Sequence, residues 1–126
     1  MATTSERRRM PRLPVSLPFE GRIGELTFRG QTANLSMTGC FAVIDEEVPE
    51  LGEGSCRFTL PVPTEDGTLE EFTLVMEVVV VRMETRDGTP AAAFMFKHVP
   101  MEAEWALGKF LLSRFQHLLT TIAAAD

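Results

Sequence analysis

The sequence predicts a mainly β domain of six short strands, a small barrel or sandwich, with a C-terminal α-helix packed on it. Three observations carry this. Between Phe19 and Val99, short apolar runs alternate with turn residues, the signature of closely spaced strands. Two Asp-Gly pairs, Asp66-Gly67 and Asp87-Gly88, are hairpin signals, because both central residues of a type I′ turn need positive φ. From Met101 to Ala124 proline is absent and helix-forming residues dominate.

Taken in order, residues 1–6 are small and polar with little to bury, and are expected to be disordered. Residues 7–18 combine Arg7, Arg8, Arg9 and Arg12 with Pro11, Pro14 and Pro18. Proline fixes φ and pushes the preceding residue toward extended geometry, so this stretch reads as an irregular arm suited to wrapping a ligand. Strands are expected near 19–29, 31–36, 39–45, 54–61, 69–83 and 90–98, making 19–99 the β unit. Within it, 72–81 is apolar on both faces, which predicts barrel interior on one side and a cover on the other.

Over 101–124, a spacing of 100° per residue gathers Trp105, Leu107, Leu111, Leu112, Phe115, Leu118, Leu119 and Ile122 on one arc. Gly108 falls inside that arc and is expected to let the helix approach the sheet. Phe110 falls alone on the polar side, a candidate contact for a partner or a second copy in a homodimer.

The chain has 126 residues, the size of one domain, with 44 % apolar and 24 % charged residues, which argues against disorder. No run approaches the ~18 apolar residues of a membrane-spanning helix. The prolines after the first arginines break any signal-peptide core. A cytoplasmic protein without membrane insertion is expected. Cys40 and Cys56 then read as reduced, small buried hydrophobes.

Charge is unevenly spread. The net charge is −6, yet four of the twelve cationic residues lie within Arg7–Arg12. With Glu6 counted, residues 6–12 carry +3 and the remaining 119 carry −9. An acidic balance speaks against general nucleic-acid binding, which needs a broadly basic face. It suits a small anionic ligand held at one patch. A basic-arm nucleic-acid binder is the remote alternative.

Catalysis fares badly. His98 and His117 have no metal-ligand partner at short spacing, there is no CxxC or HxxxH pattern, and no phosphate-cradling glycine loop occurs. Neither metal nor cofactor is expected. The carboxylates cluster in loops and read as solvated. Binding fares better. An arginine fork pairs bidentately with phosphate and stacks on a base. Asn34 and Ser36 share a face by the period of two and offer an amide for a base edge and a hydroxyl for a phosphate or purine acceptor. Gly39 permits a tight turn or close backbone approach. Alone, the arginines would be a solvated tail and Asn34 to Gly39 a plain turn. Their conjunction before and within a β pattern points to a nucleotide site.

Arg8-x-x-x-Arg12 followed by Asn34-x-Ser36-x-x-Gly39 resembles the paired signature of PilZ domains, RxxxR and [D/N]xSxxG. Val79 to Arg82, the Asp87-Gly88 hairpin, Ala93-Phe94-Met95-Phe96 and the final helix resemble the late part of the same family, so the likeness runs from Arg7 to the helix end. Ala93 departs from it, since many members carry glycine there. The resemblance implies a six-stranded antiparallel β-barrel that binds cyclic di-GMP, the bacterial second messenger. It places Arg8 and Arg12 on phosphate and guanine, Asn34 and Ser36 on a guanine edge, and Gly39 at the turn. Arg9 matches the RRxxR form of the motif. Arg7 is a separate candidate, whose extra guanidinium would favour two intercalated ligands over one. The expected function is a non-catalytic receptor that signals to an effector protein, in motility or a related pathway. The alternative is a scaffold or pilus and motility adaptor of the same fold that binds no nucleotide.

Overall fold

The computed structural model describes residues 12–125, and side chains as far as His117. Among the described residues, seven strands and one helix occur in chain order: β1 (Leu13–Pro14), β2 (Pro18–Ile23), β3 (Leu26–Leu35), β4 (Gly39–Ile44), β5 (Glu53–Pro63), β6 (Leu69–Arg86), β7 (Thr89–His98) and α1 (Met101–Ala125). All pairings are antiparallel. Six strands close a ring in the order β3-β2-β5-β6-β7-β4, with β4 returning to β3. The two-residue β1 adds to β3 beyond the end of β2, at Leu35 and Asn34. Closure leaves no long unpaired edge, which is how a small all-β domain avoids edge-to-edge association.

The interior is built by alternation. On β6, Leu74, Met76, Val78 and Val80 point inward, and on β5 Cys56, Phe58, Leu60 and Val62 do. Phe19, Phe28 and Phe94 pack against one another at the centre, with ring centroids 5.2–5.9 Å apart. The outer side of β6 is not covered as its apolar composition suggests, and Val75 is 61 % exposed. The helix packs chiefly on β5 with a smaller contact on β1, leaving that side open.

The helix is also turned relative to the expected arc. Ala103, Ala106, Leu107, Phe110 and Leu111 are the buried positions, a spacing of i, i+3, i+4, i+7 and i+8. Phe110 is 1 % exposed and belongs to the core, while Trp105 is 51 % exposed and Leu112 and Phe115 lie outward. Two alanines in the stripe explain the difference: they add little hydrophobic weight to a projection but allow close packing. Leu118, Leu119 and Ile122 lie outside the described side chains. A Cβ on Gly108 would have nothing within 4 Å, so Gly108 is not a point of close approach.

Two hairpins differ in kind. Asp87 and Gly88 both have positive φ (51° and 79°), as a type I′ turn requires. At Asp66-Gly67 only Gly67 does (87°), and the loop is longer, closed by Thr64 N donating to Thr68 O at 2.8 Å. The expected strand over 19–29 is instead a β2–β3 hairpin turning at Gly24 (φ 61°), with β3 running straight through Gly30.

Candidate functional site

Arg7, Arg8 and Arg9 lie outside the described residues. The arm is fastened to the barrel immediately after Arg12. Leu13 pairs with Leu35 and Pro14 with Asn34, so one further step of this antiparallel register sets Arg12 opposite Ser36. Thr32, buried in the wall, secures the chain from Val15 to Leu17. Its hydroxyl donates to Val15 O (2.6 Å) and accepts from Leu17 N (2.9 Å), and its own N–H donates to Leu17 O (2.9 Å). The stretch read as an irregular arm through residue 18 is therefore tied down from Leu13. Sequence reasoning missed Thr32, whose signal is a polar residue at an inward position of an alternating strand.

Ser36 to Gly39 forms the corner between β3 and β4. Ser36 N donates to Gly39 O at 2.9 Å. Thr38 N donates to Ser36 Oγ at 3.2 Å, and the hydroxyl also reaches Gly39 O (3.3 Å) and shares a hydrogen bond with Thr38 Oγ1 (3.2 Å). Ser36 is 3 % exposed. Its hydroxyl thus organises the turn, a local side-chain-to-backbone arrangement that competes with continuing the strand. Phe96 N donates to Thr38 O at 2.9 Å and locks the corner onto β7. Gly39 does not have positive φ. It is needed because a Cβ there would fall 2.1 Å from Phe94 O, where β4 and β7 pair.

Asn34 and Ser36 do not share a strand face, because β3 ends at Leu35. A bulge between Thr32 and Asn34 inserts Ala33 against β4. Such an extra residue resets alternation and re-aims the side chains after it. Leu35 and its partner Cys40 point inward, and Asn34 and its partner Phe41 point outward. Arg12, Ser36, Thr38, Gly39, Phe41, Val81 and Ala93 line a cleft of about 240 Å³ that also reaches Cys40, Phe94 and Met95. Asn34 stands beside it, next to Phe41. Of the expected residues that are described, Arg12, Ser36 and Gly39 are brought together and Asn34 flanks them.

The outer row through Asn34 continues across the wall as Phe41, Ala93 and Arg82. Phe41 is buried on this outer face without joining the core, because two guanidinium groups lie over it. Arg86 Cζ is 4.7 Å from its ring centroid and Arg82 Cζ 5.9 Å, within the range of cation–π attraction.

Larger grooves exist elsewhere, including one of about 510 Å³ over β2, β3 and β5 lined by Arg22, Arg29 and Arg57. There Arg29 faces Glu20 at 3.9 Å, and Asp45 accepts from Arg29 N at 2.8 Å. Its cations and anions are interspersed, so size alone does not make it an anion site. Burial pushes the Cys40 thiol well up and the Cys56 thiol up to about 12. Both are free and sit in the interior on β4 and β5, which are not neighbours in the ring. Among the described residues no group of three or more His, Cys, Asp or Glu could hold a metal ion, and no helix is long and apolar enough to cross a membrane.

Comparison with known proteins agrees with this fold. No curated protein matches the sequence. Among solved structures, the chain is similar to YcgR in complex with c-di-GMP from Escherichia coli, at 18 % identity and a TM-score of 0.72 over 96 % of this chain and 51 % of that one. It is similar to the inhibitor of motility MotI/DgrA of Bacillus subtilis, at 18 % identity and 0.66 over 93 % of this chain and 57 % of that one. It is also similar to the PilZ domain of E. coli YcgR with c-di-GMP, at 18 % identity and 0.66 over 93 % and 98 %. This chain therefore spans about half the length of the first two. A family model described as PilZ domain matches residues 6–113, which takes in the arginines, the ring and about the first half of the helix; the chain belongs to the PilZ domain family.

Proposed function

We propose that this protein is a non-catalytic receptor for cyclic di-GMP, holding the dinucleotide with Arg7, Arg8, Arg9, Arg12, Asn34, Ser36 and Gly39. The observation that carries the reading is the cleft in which Arg12 meets the Ser36–Gly39 corner, in a chain of this family. Two of the similar structures are c-di-GMP complexes by their own description. The chemistry agrees. Arginine forks suit two phosphates and can lie over two purines. Charge-assisted hydrogen bonds contribute roughly 1.5–3 kcal/mol each, and a few of them with stacking reach the ~8 kcal/mol of a micromolar complex, less the cost of ordering the arm.

In this reading Ser36 acts first by fixing the corner, with Asn34 offering its amide from the adjacent row. The arm folds over the ligand. Its attachment at β1, which touches both β3 and the helix, carries the change to a surface that an effector protein reads in the cytoplasm. The ligand can switch that effector only if both favour the same conformation.

Calorimetric titration tests this. Cyclic di-GMP is expected to bind wild type at micromolar affinity or better, and GMP and the Arg8→Ala/Arg12→Ala variant are expected to give no binding. One ligand per protomer would remove the two-ligand role of Arg7. No heat with wild type and no shift in thermal midpoint would overturn the receptor reading in favour of a scaffold.

A further inference from the structure

The geometry points to a second arginine pair, Arg82 and Arg86 mounted on Phe41, as the opposite wall of the ligand site, where it takes the distal purine or phosphate of the dinucleotide. The inference rests on the cyclic di-GMP reading and extends it to residues more than forty positions from either motif.

The cleft around Arg12 is about 240 Å³, smaller than the ~300–1,000 Å³ of pockets that enclose drug-sized ligands. It accommodates part of a dinucleotide, and the remainder must lie on the adjoining wall. Phe41 lines the cleft and is also the ring beneath Arg82 and Arg86, so the wall in question is set by contact. The row Asn34–Phe41–Ala93–Arg82 crosses three strand spacings, or about 14 Å at ~4.8 Å each, a span suited to a two-base ligand. Ala93, small and at the middle of that row, leaves the path between them open.

Several features mark the pair as prepared for an anion. Arg82, Glu84 and Arg86 project from one face of β6 by the period of two. Both guanidinium groups are more than half exposed, at 59 % and 62 % of their side chains, yet each is held over an aromatic ring, so little freedom remains to be lost on binding. Glu84 lies between them, 3.8 Å from Arg82 and 3.0 Å from Arg86. A phosphate or guanine acceptor arriving there competes with the Glu84 carboxylate for the same forks. Two cations against one anion leave the triplet with a net positive charge in an acidic protein.

The carboxylate makes the test sharp, because removing it and removing the arginines should act in opposite directions. Cyclic di-GMP is titrated calorimetrically into wild type, Arg82→Ala/Arg86→Ala, Glu84→Gln, and Arg57→Ala as a remote exposed control, with thermal midpoints recorded for each. The double variant should bind at least about tenfold more weakly, the loss of one or two charge-assisted contacts. Glu84→Gln should bind as tightly or several-fold more tightly, and Arg57→Ala should match wild type. If the alanine pair fails to fold, Arg82→Lys/Arg86→Lys keeps charge over the ring but lacks the fork and should still weaken binding. Wild-type affinity in the folded arginine variants overturns the inference while leaving the receptor reading intact. Equal weakening in the arginine variant and Glu84→Gln also overturns it, since that pattern belongs to a structural ion pair. Absence of binding by wild type overturns both.

Discussion

Leu13 pairs with Leu35 across β1 and β3, and both side chains are buried, at 5 % and 0 % exposure. This pair moors the arginine arm to the barrel, since Arg12 is the next residue. Leu13→Ala should cost about 2–5 kcal/mol of stability, as other large-to-small core changes do. It should also weaken cyclic di-GMP binding in a protein that is still folded, because the strand that positions Arg12 loses its anchor. Urea unfolding beside titration separates the two effects. A stability loss with unchanged affinity would show that β1 does not position the arm.

Gly39 faces a similar but tighter constraint. A methyl group there would collide with Phe94 O at 2.1 Å, and backbone cannot swing aside as a long side chain can. Gly39→Ala should therefore force β4 and β7 apart and destabilise by about 1–3 kcal/mol or more. The distortion falls on the Ser36 corner, so binding should fall with it. A variant with wild-type denaturation midpoint would contradict the close approach.

Asp66 predicts a pH effect. Its carboxylate accepts from the Thr64 and Thr68 hydroxyls and from Thr68 N, and these bonds, the Thr64 hydroxyl foremost, pull its pKa from 3.8 to about 2. A depressed carboxyl pKa stabilises the folded state above the ordinary value and loses that contribution as pH falls toward the folded one. The effect of Asp66 is thus full above about pH 4 and fades between there and 2. Carboxyl NMR titration should place its midpoint near 2, and Asp66→Asn should flatten the acid limb of the thermal midpoint. A midpoint near the ordinary value would show that the loop bonds do not persist in solution.

The parts legible in the sequence are those whose cause is local. Asp87-Gly88 announces its turn because the dipeptide itself supplies positive φ at both positions. Arg12, Ser36 and Gly39, which line one cleft, stand out as candidates by their spacing. Gly30 misleads: it resembles a turn but lies inside β3, where a Cβ would fall 1.8 Å from Val43 O. The true turn is at Gly24 (φ 61°); Gly21, Gly24 and Gly30 all read as turn residues, and the sequence does not say which of them turns the chain. What sequence could not supply is register. Phe41, Arg82 and Arg86 meet only because β4, β7 and β6 pair as they do, with bulges on β3 and between Val80 and Arg82 adjusting which residues face out. Each bulge shifts alternation by one, and neither has a signal in residue type.

The helix offers the clearest separation between what its composition suggests and how it packs. Phe110 is in the core beside Ala106 and Leu107, and Phe110→Ala should cost about 3–5 kcal/mol. Trp105 is the larger ring but lies half outside, with an edge contact to Phe72 at 5.4 Å and Lys109 over its face at 5.6 Å. Trp105→Ala should cost no more than about 1.5 kcal/mol, the scale of an aromatic pair. Trp105 is the single tryptophan, so its fluorescence reports this face directly and should be accessible to iodide in the folded protein. Equal losses for the two variants, or a tryptophan shielded from iodide in the monomer, would turn the helix back toward the arc read from sequence. Shielding that appears only at high protein concentration would instead identify this face as a contact between two copies.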